Sequence, residues 1–350
     1  MKDLYKGNEA IAEAAIRAGC RAYFGYPITP QNEIPEYMSR RMPEVGGVFI
    51  QAESETSAIN MVYGAAGAGA RAMTSSSSPG VSLKQEGISY LTCAEVPCVI
   101  INMMRAGPGL GGVLPGQGDY FQAVKGGGHG DYRLFVLAPS CVQEACDLTF
   151  KAFDIADEYR NPVMILGDGM LGQMIESAQL PQAINLDTLP SKPWATSGHT
   201  EPRIINSLLI DPDELEKRTD KLFAKYKLME KDVMVEEYCT HDANIILTAF
   251  GSVGRIAKAS VEILRSIGIK AGLIRPITLF PFPYVNYMNH CNKQNISAVY
   301  CIELNKGQMV EDVRLAVNGK KPVHFFGRSG GNMLSAEVIA KHIAQEERKK

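Results

Sequence analysis

AYFGYPITPQNEIPEYMSRRMPEVGGVFIQAESETSAINM, residues 22–61, is the stretch on which the fold is decided. The apolar run Ala22 to Tyr26 predicts a short strand, and a helix pattern follows that ends near Met42. The strand Val48 to Gln51 comes next. Thr56 to Gly69, rich in Ala and Gly, then predicts a helix packed closely against its neighbours. Strand and helix alternating at this spacing are the repeat of a parallel sheet.

The same rhythm runs outward. Upstream, Asn8 reads as the cap of an alanine-rich helix that ends at Gly19. Downstream, strands are expected at Ala72 to Ser75, Cys98 to Met103, Leu134 to Leu137 and Val163 to Leu166, with a long amphipathic helix, Val142 to Tyr159, before the last. Six strands separated by helices imply a parallel sheet covered on both faces, whose ligands sit at the carboxyl ends of the strands.

Regularity stops between about Pro181 and His241, where five prolines precede a charged helix read over Asp213 to Tyr238. A second series then begins, with strands at Ile245 to Phe250, Lys270 to Ile274, Ala298 to Glu303 and Val323 to Phe326. Helices Val253 to Ser266, Gln308 to Val317 and Ser335 to Ala344 alternate with them. The expected organisation is a first domain over 1–190, an inter-domain connection over 191–240 and a smaller α/β domain over 241–350.

A formal net charge of −2 and scattered basic residues exclude a nucleic-acid binder; the one dense basic run, Arg348-Lys349-Lys350, reads as a solvated helix end. Met1 to Glu9 is polar, and no window approaches the roughly 18 apolar residues of a membrane span, so a cytoplasmic protein is expected. Eight cysteines include no Cys-x-x-Cys pair, and the six histidines have no ligand spacing, so neither a metal site nor an iron–sulfur cluster is expected on this chain.

Chemistry is concentrated immediately after each strand of the first domain. The first is succeeded by Tyr26-Pro27-Ile28-Thr29-Pro30, where Thr29 reads as a helix N-cap with Pro30 at the first helical position, or as a stiffly held hydroxyl. After the second comes Glu53-Ser54-Glu55. Glu55 opens a helix with no other charge before Arg71, so it either complements the helix dipole or, shielded from water, carries a proton. Ser75 to Gly80 is a hydroxyl-rich turn. Arg105 stands beside a glycine loop, placed to grip a carboxylate or to make a salt bridge to a neighbouring helix. His129 and Asp131 lie in the glycine-rich loop before the fifth strand.

Two motifs are discounted. Gly107 to Gly112 fits G-x-G-x-x-G, but follows the fourth strand, contains a proline and starts no clear helix. Gly167-Asp168-Gly169 resembles the opening of a metal–diphosphate motif without the asparagines that should follow, and reads as a strand-end turn.

At these residues the chain resembles the alpha-type subunit of the 2-oxoacid:ferredoxin oxidoreductases. The likeness runs over nearly the whole length: Gly7-Asn8-Glu9-Ala10, the Tyr26 to Pro30 turn, Glu53-x-Glu55, Gly67 to Thr74, Pro79 to Leu83, the Arg105 loop and His129-Gly130-Asp131. In the second domain Glu303-Leu304-Asn305-x-Gly307-Gln308-Met309 and Gly327-Arg328-x-Gly330-Gly331 agree. The resemblance implies a thiamin-diphosphate-binding domain of the pyrimidine type followed by a transketolase-C-terminal-like domain. Glu55 would hold the aminopyrimidine ring nitrogen and favour the imino tautomer, with Pro27 and Ile28 beside the cofactor. Thr29 and Arg105 would hold the oxo and carboxylate oxygens of the substrate, and His129 and Asp131 would belong to an active-site loop.

It also implies a division of labour. A beta-type subunit would bind the diphosphate and Mg2+, and 4Fe-4S clusters would lie on partner subunits, with gamma and/or ferredoxin-like delta chains, in a hetero-complex that pairs with itself. Coenzyme A would take the acyl group and ferredoxin the electrons. After Arg105 this chain reads Ala106-Gly107-Pro108-Gly109-Leu110-Gly111, where relatives often carry Gly-Gly-Pro-Ser-Thr-Gly. The loss of hydroxyls leans towards a branched-chain 2-oxo acid, with 2-oxoglutarate and pyruvate as alternatives. Other readings are a transketolase-like component without ferredoxin, a nicotinamide-dependent dehydrogenase and a non-catalytic scaffold.

Overall fold

The computed structural model describes residues 2–349, so Met1 of the polar opening stretch and Lys350 of the basic run lie outside the described residues. A seven-stranded sheet carries the first half of the chain. From edge to edge its strands are Thr278–Phe280, Phe135–Leu137, Val163–Asp168, Val99–Met104, Ala72–Ser76, Ala22–Gly25 and Val48–Gln51. All pairs are parallel except the first, in which Thr278–Phe280 runs antiparallel to Phe135–Leu137. That edge strand comes from the second half of the chain.

Alternate side chains of the central strands feed two cores. Val99, Ile101, Val163 and Ile165 pack with helices Gly7–Arg17, Glu33–Glu44 and Val142–Tyr159. Ile100, Met104, Met164 and Leu166 pack on the other face with helices Glu55–Gly67 and Ser78–Cys93. Burial on both faces explains the unbroken apolar runs of these strands. From Ala22–Gly25 the chain moves outward to Val48–Gln51, then crosses back to Ala72–Ser76 on the other side. The connections therefore diverge between Ala22–Gly25 and Ala72–Ser76. A crevice opens at such a switch point, beyond the carboxyl ends of the strands.

The second sheet orders Val323–Gly327, Ala298–Glu303, Ile245–Thr248, Ala271–Pro276 and Val235–Tyr238, the last antiparallel. The charged helix read over Asp213 to Tyr238 is therefore shorter: it runs Pro212–Met229, and the residues after it become an edge strand. Main-chain pairing with Ala271–Pro276 overrides local helix preference there. The two halves are welded together. Arg275, 2% exposed, binds Glu144 of the first half and Glu236 of the edge strand Val235–Tyr238. Tyr120 and Lys125 both reach Asp312.

Local corrections concern helix starts. The first helix begins at Gly7, and Asn8 lies inside it, its side-chain amide donating to Pro30 O at 2.8 Å and to Glu33 at 2.7 Å. The helix after the first strand begins at Glu33 behind Asn32, so Thr29 is not its N-cap and Pro30 is not its first residue. The terminal helix ends at Arg348. No described helix is long and apolar enough to cross a membrane.

Candidate active site

Parallel pairing brings the ends of the strands to one edge, and the helix starts there assemble a polar cluster. Ser54 caps the helix Glu55–Gly67 by accepting from Ser57 N at 3.1 Å, which leaves Glu55 in the first turn. The Glu55 side chain is 6% exposed. It lies against Gly80 at the start of helix Ser78–Cys93, where a Cβ would come within 2.5 Å of Glu55 Oε1 and collide with Ser76 Oγ. Gly80, without a side chain, thus lets the carboxylate and that hydroxyl pack directly onto its backbone. Ser76 Oγ and Ser77 Oγ are buried without a hydrogen-bond partner. Unsatisfied buried hydroxyls cost stability unless a bound group completes them.

The hydroxyl-rich turn at 75–80 is a strand end running into a helix start, buried almost throughout. Ser75 joins Tyr23 at 2.6 Å and Gln31 at 2.5 Å, tying the strand to the turn after Ala22–Gly25. Within that turn Pro27 and Thr29 are exposed and Ile28 half-buried.

Arg105 follows the strand Val99–Met104 and is buried. It makes no salt bridge among the described residues. One terminal nitrogen donates to Thr29 O at 3.0 Å and the other to Leu110 O at 3.0 Å, while its Nε is buried and unpartnered. Two of five donors are engaged, so capacity for an anionic oxygen is left. Ser78 Oγ accepts from Arg105 N at 3.0 Å and donates to Asp119 at 2.6 Å; burial raises the Asp119 carboxyl above its usual range. Thr29 and Arg105 are thus in contact, and the Arg105 backbone meets the helix that carries Gly80.

His129 and Asp131 are exposed and separate from this cluster. Their loop packs further along helix Ser78–Cys93, where Ser89 Oγ donates to His129 O at 2.7 Å, about 13 Å along the axis from Gly80 at helical rise. The glycine stretch 107–112 forms an exposed loop that no helix follows directly. Asp168 caps the short helix Gly169–Gln173 and accepts from Ser252, which commits its oxygens to structure.

Two clefts flank the cluster. One of about 640 Å³ is mostly apolar, lined by Thr29, Val113, Leu114, Met170, Met174 and Met333. The other, about 560 Å³, lies between Ser78, the glycine loop and Asn305, Lys306, Gln308 and Ser329 of the second half. Glu303-Leu-Asn-x-Gly-Gln-Met shapes that wall: buried Glu303 accepts from the backbone of Met309 and Val310, anchoring the start of helix Met309–Val317.

Sequence reasoning missed Lys84, a fully buried lysine beside Glu55. Its signal was available, because Val81, Lys84, Ile88 and Leu91 fall on one helical stripe, and that stripe is otherwise apolar.

Residues 13–239 match the family described as pyruvate flavodoxin/ferredoxin oxidoreductase, thiamine diphosphate-binding, and residues 243–339 match pyruvate:ferredoxin oxidoreductase core domain II. The ketoisovalerate oxidoreductase subunit VorB of Methanothermobacter thermautotrophicus is 50% identical, over 98% of this chain and 97% of its own length. The 2-oxoglutarate synthase subunit KorA of Archaeoglobus fulgidus is 40% identical, over 93% and 94%. A solved 2-oxoglutarate:ferredoxin oxidoreductase from Magnetococcus marinus, with 2-oxoglutarate, coenzyme A and succinyl-CoA bound, aligns at TM-score 0.87 and 25% identity; it covers 99% of this chain, which spans 65% of that one.

Proposed function

The chain belongs to the pyruvate flavodoxin/ferredoxin oxidoreductase family, and from that premise we propose that it is the pyrimidine-binding subunit of a thiamin-diphosphate-dependent 2-oxoacid:ferredoxin oxidoreductase acting on branched-chain 2-oxo acids. The observation that carries this reading is the buried Glu55 carboxylate packed with the unpartnered Ser76 hydroxyl against Gly80, beside the sheet's switch point, with the unpartnered Ser77 hydroxyl next in the chain. An aminopyrimidine has a ring nitrogen and an exocyclic amine on its polar edges, and a carboxylate with two hydroxyls complements such a group. Glu55 would hold the ring nitrogen, with Ser76 and Ser77 at the remaining polar atoms and Pro27 and Ile28 alongside. When bound, thiamin diphosphate supplies the electron sink for loss of carbon dioxide.

Glu55 would hold a proton at the ring nitrogen, in a position shielded from water by its own helix and by Ser78–Cys93. Arg105 would take the substrate carboxylate with its uncommitted N–H groups, and its bond to Thr29 O fixes the guanidinium plane. Thr29 would orient the oxo oxygen. His129 and Asp131, exposed on a loop apart from these residues, would meet a partner or a mobile part of the substrates.

The apolar cleft beside Thr29 supports a branched-chain substrate: its one charged lining residue, Glu33, is already paired with Lys6, so the lining offers no cation to the second carboxylate of 2-oxoglutarate. The relationship to VorB supports the same choice. The diphosphate, Mg2+ and clusters would belong to partner subunits, with coenzyme A as acyl acceptor and ferredoxin as electron acceptor. Met61, 37% exposed, and Leu83, 55% exposed, lie on the two helices that flank Glu55 and offer apolar contact to such a partner.

Reconstitution with the partner subunits and a viologen dye tests this. Reduction is expected with 3-methyl-2-oxobutanoate in preference to 2-oxoglutarate, and Glu55→Gln should lower it by about 10²- to 10⁴-fold with assembly intact. Wild-type turnover by E55Q would sink the assignment.

A further inference from the structure

Lys84 is wholly buried on helix Ser78–Cys93, one turn after Gly80. Its ammonium donates to Thr74 Oγ1 at 3.1 Å and, at the long distance of 3.4 Å, to the main-chain carbonyl of Glu55. It makes no salt bridge among the described residues. The elements packed on it are strand Ala72–Ser76 and helix Glu55–Gly67, and the one charge they turn towards the amine is that of Glu55. A cation buried without a direct ion pair is costly, and such arrangements concentrate where charge is used.

We propose that Lys84 is a positioning residue for Glu55: its buried ammonium tethers the Glu55 main chain at the helix start and is the counter-charge beside the carboxylate, which it keeps ready for a polar ring edge. This rests on the reading of Glu55 given above. The arrangement is asymmetric. Thr74 and the Glu55 carbonyl occupy the amine, whereas the hydroxyls of Ser76 and Ser77 are buried without partners. A lysine serving only to fill the core would need none of this. Burial, partly offset by the charge of Glu55, lowers the Lys84 amine to about 8. The counter-charge would therefore be present at neutral pH and lost above about 8.

The test uses the reconstituted complex and calorimetric titration with thiamin diphosphate and Mg2+ between pH 6 and 10. Wild-type affinity should decline above about pH 8. Lys84→Met, close in volume, should bind about tenfold more weakly at pH 7, the equivalent of one pKa unit, and lack that decline. Unchanged affinity with the alkaline decline retained would overturn the proposal, as would a loss of thermal stability alone with the pH profile intact. If K84M does not assemble, Thr74→Val leaves the amine but removes an acceptor, and should move the midpoint to lower pH; an unmoved midpoint overturns the proposal. Glu55→Gln separates the two failures. An active E55Q complex defeats the site reading itself, whereas an inactive one beside an unaltered K84M defeats only the role of Lys84.

Discussion

Lys84 sets a stability against a function at the scale of one residue. Its amine is lowered from 10.5 to about 8 in the folded chain, so between those values the unfolded state binds more protons and stability rises with pH. Below pH 8 the full penalty is present, on the order of 3 kcal/mol. Lys84→Met should therefore stabilise the chain by up to about that amount at pH 7, and the gain should vanish above pH 10.5. Comparing urea unfolding of wild type and variant at pH 7 and pH 10.5 checks this, because other titrations cancel in the difference. Glu55, Thr29 and Arg105 were legible in the sequence because each follows a strand of one parallel sheet. Lys84 was not singled out, since a lysine on an apolar stripe shows its importance only once the stripe is known to be buried.

Elements were legible wherever their own periodicity decided them. Val48–Gln51, Val142–Tyr159 and Ala298–Glu303 stand where the pattern put them. Val235–Tyr238 and Thr278–Phe280 were missed, because each is made by pairing with a strand remote in sequence or in the other half of the chain. Arg275 joins such elements. It is nearly inaccessible and bridges Glu144 at 2.5 Å and Glu236 at 2.6 Å, linking helix Val142–Tyr159 to the edge strand of the second sheet. Arg275→Met would leave two carboxylates without their shared cation. A loss of about 3 kcal/mol is expected, readable as a lower urea midpoint with little change in slope. A midpoint equal to wild type would mean that the bridge contributes nothing net.

Across the whole molecule, one apolar core runs from the first sheet, through Tyr120 and Val124, to Ile246, Phe250 and Val313 of the second. Thr278–Phe280 completes the first sheet from the far half. Residues 1–240 alone would expose the edge of Phe135–Leu137 together with Tyr120 and Ala123, an aggregation-prone surface. The intact chain should accordingly unfold in one calorimetric transition, and the 1–240 fragment should aggregate or lack a cooperative one. A monomeric fragment that melts cooperatively would show the halves to be independent.

By itself, the sequence determined the alternation of strands and helices, the crossing to a second α/β unit, and which polar residues stand at the strand ends. These follow from side-chain periods of two and 3.6, which a chain carries locally. Only tertiary structure decided that Arg105 closes on the Thr29 carbonyl, that Glu55 and Ser76 pack onto Gly80, and that Lys84 is enclosed beside Glu55. The contacts Gly80–Glu55, Lys84–Glu55 and Arg105–Thr29 that join them span 25, 29 and 76 positions of the chain. No local period encodes a pairing at that range; packing the helices onto a twisted sheet does.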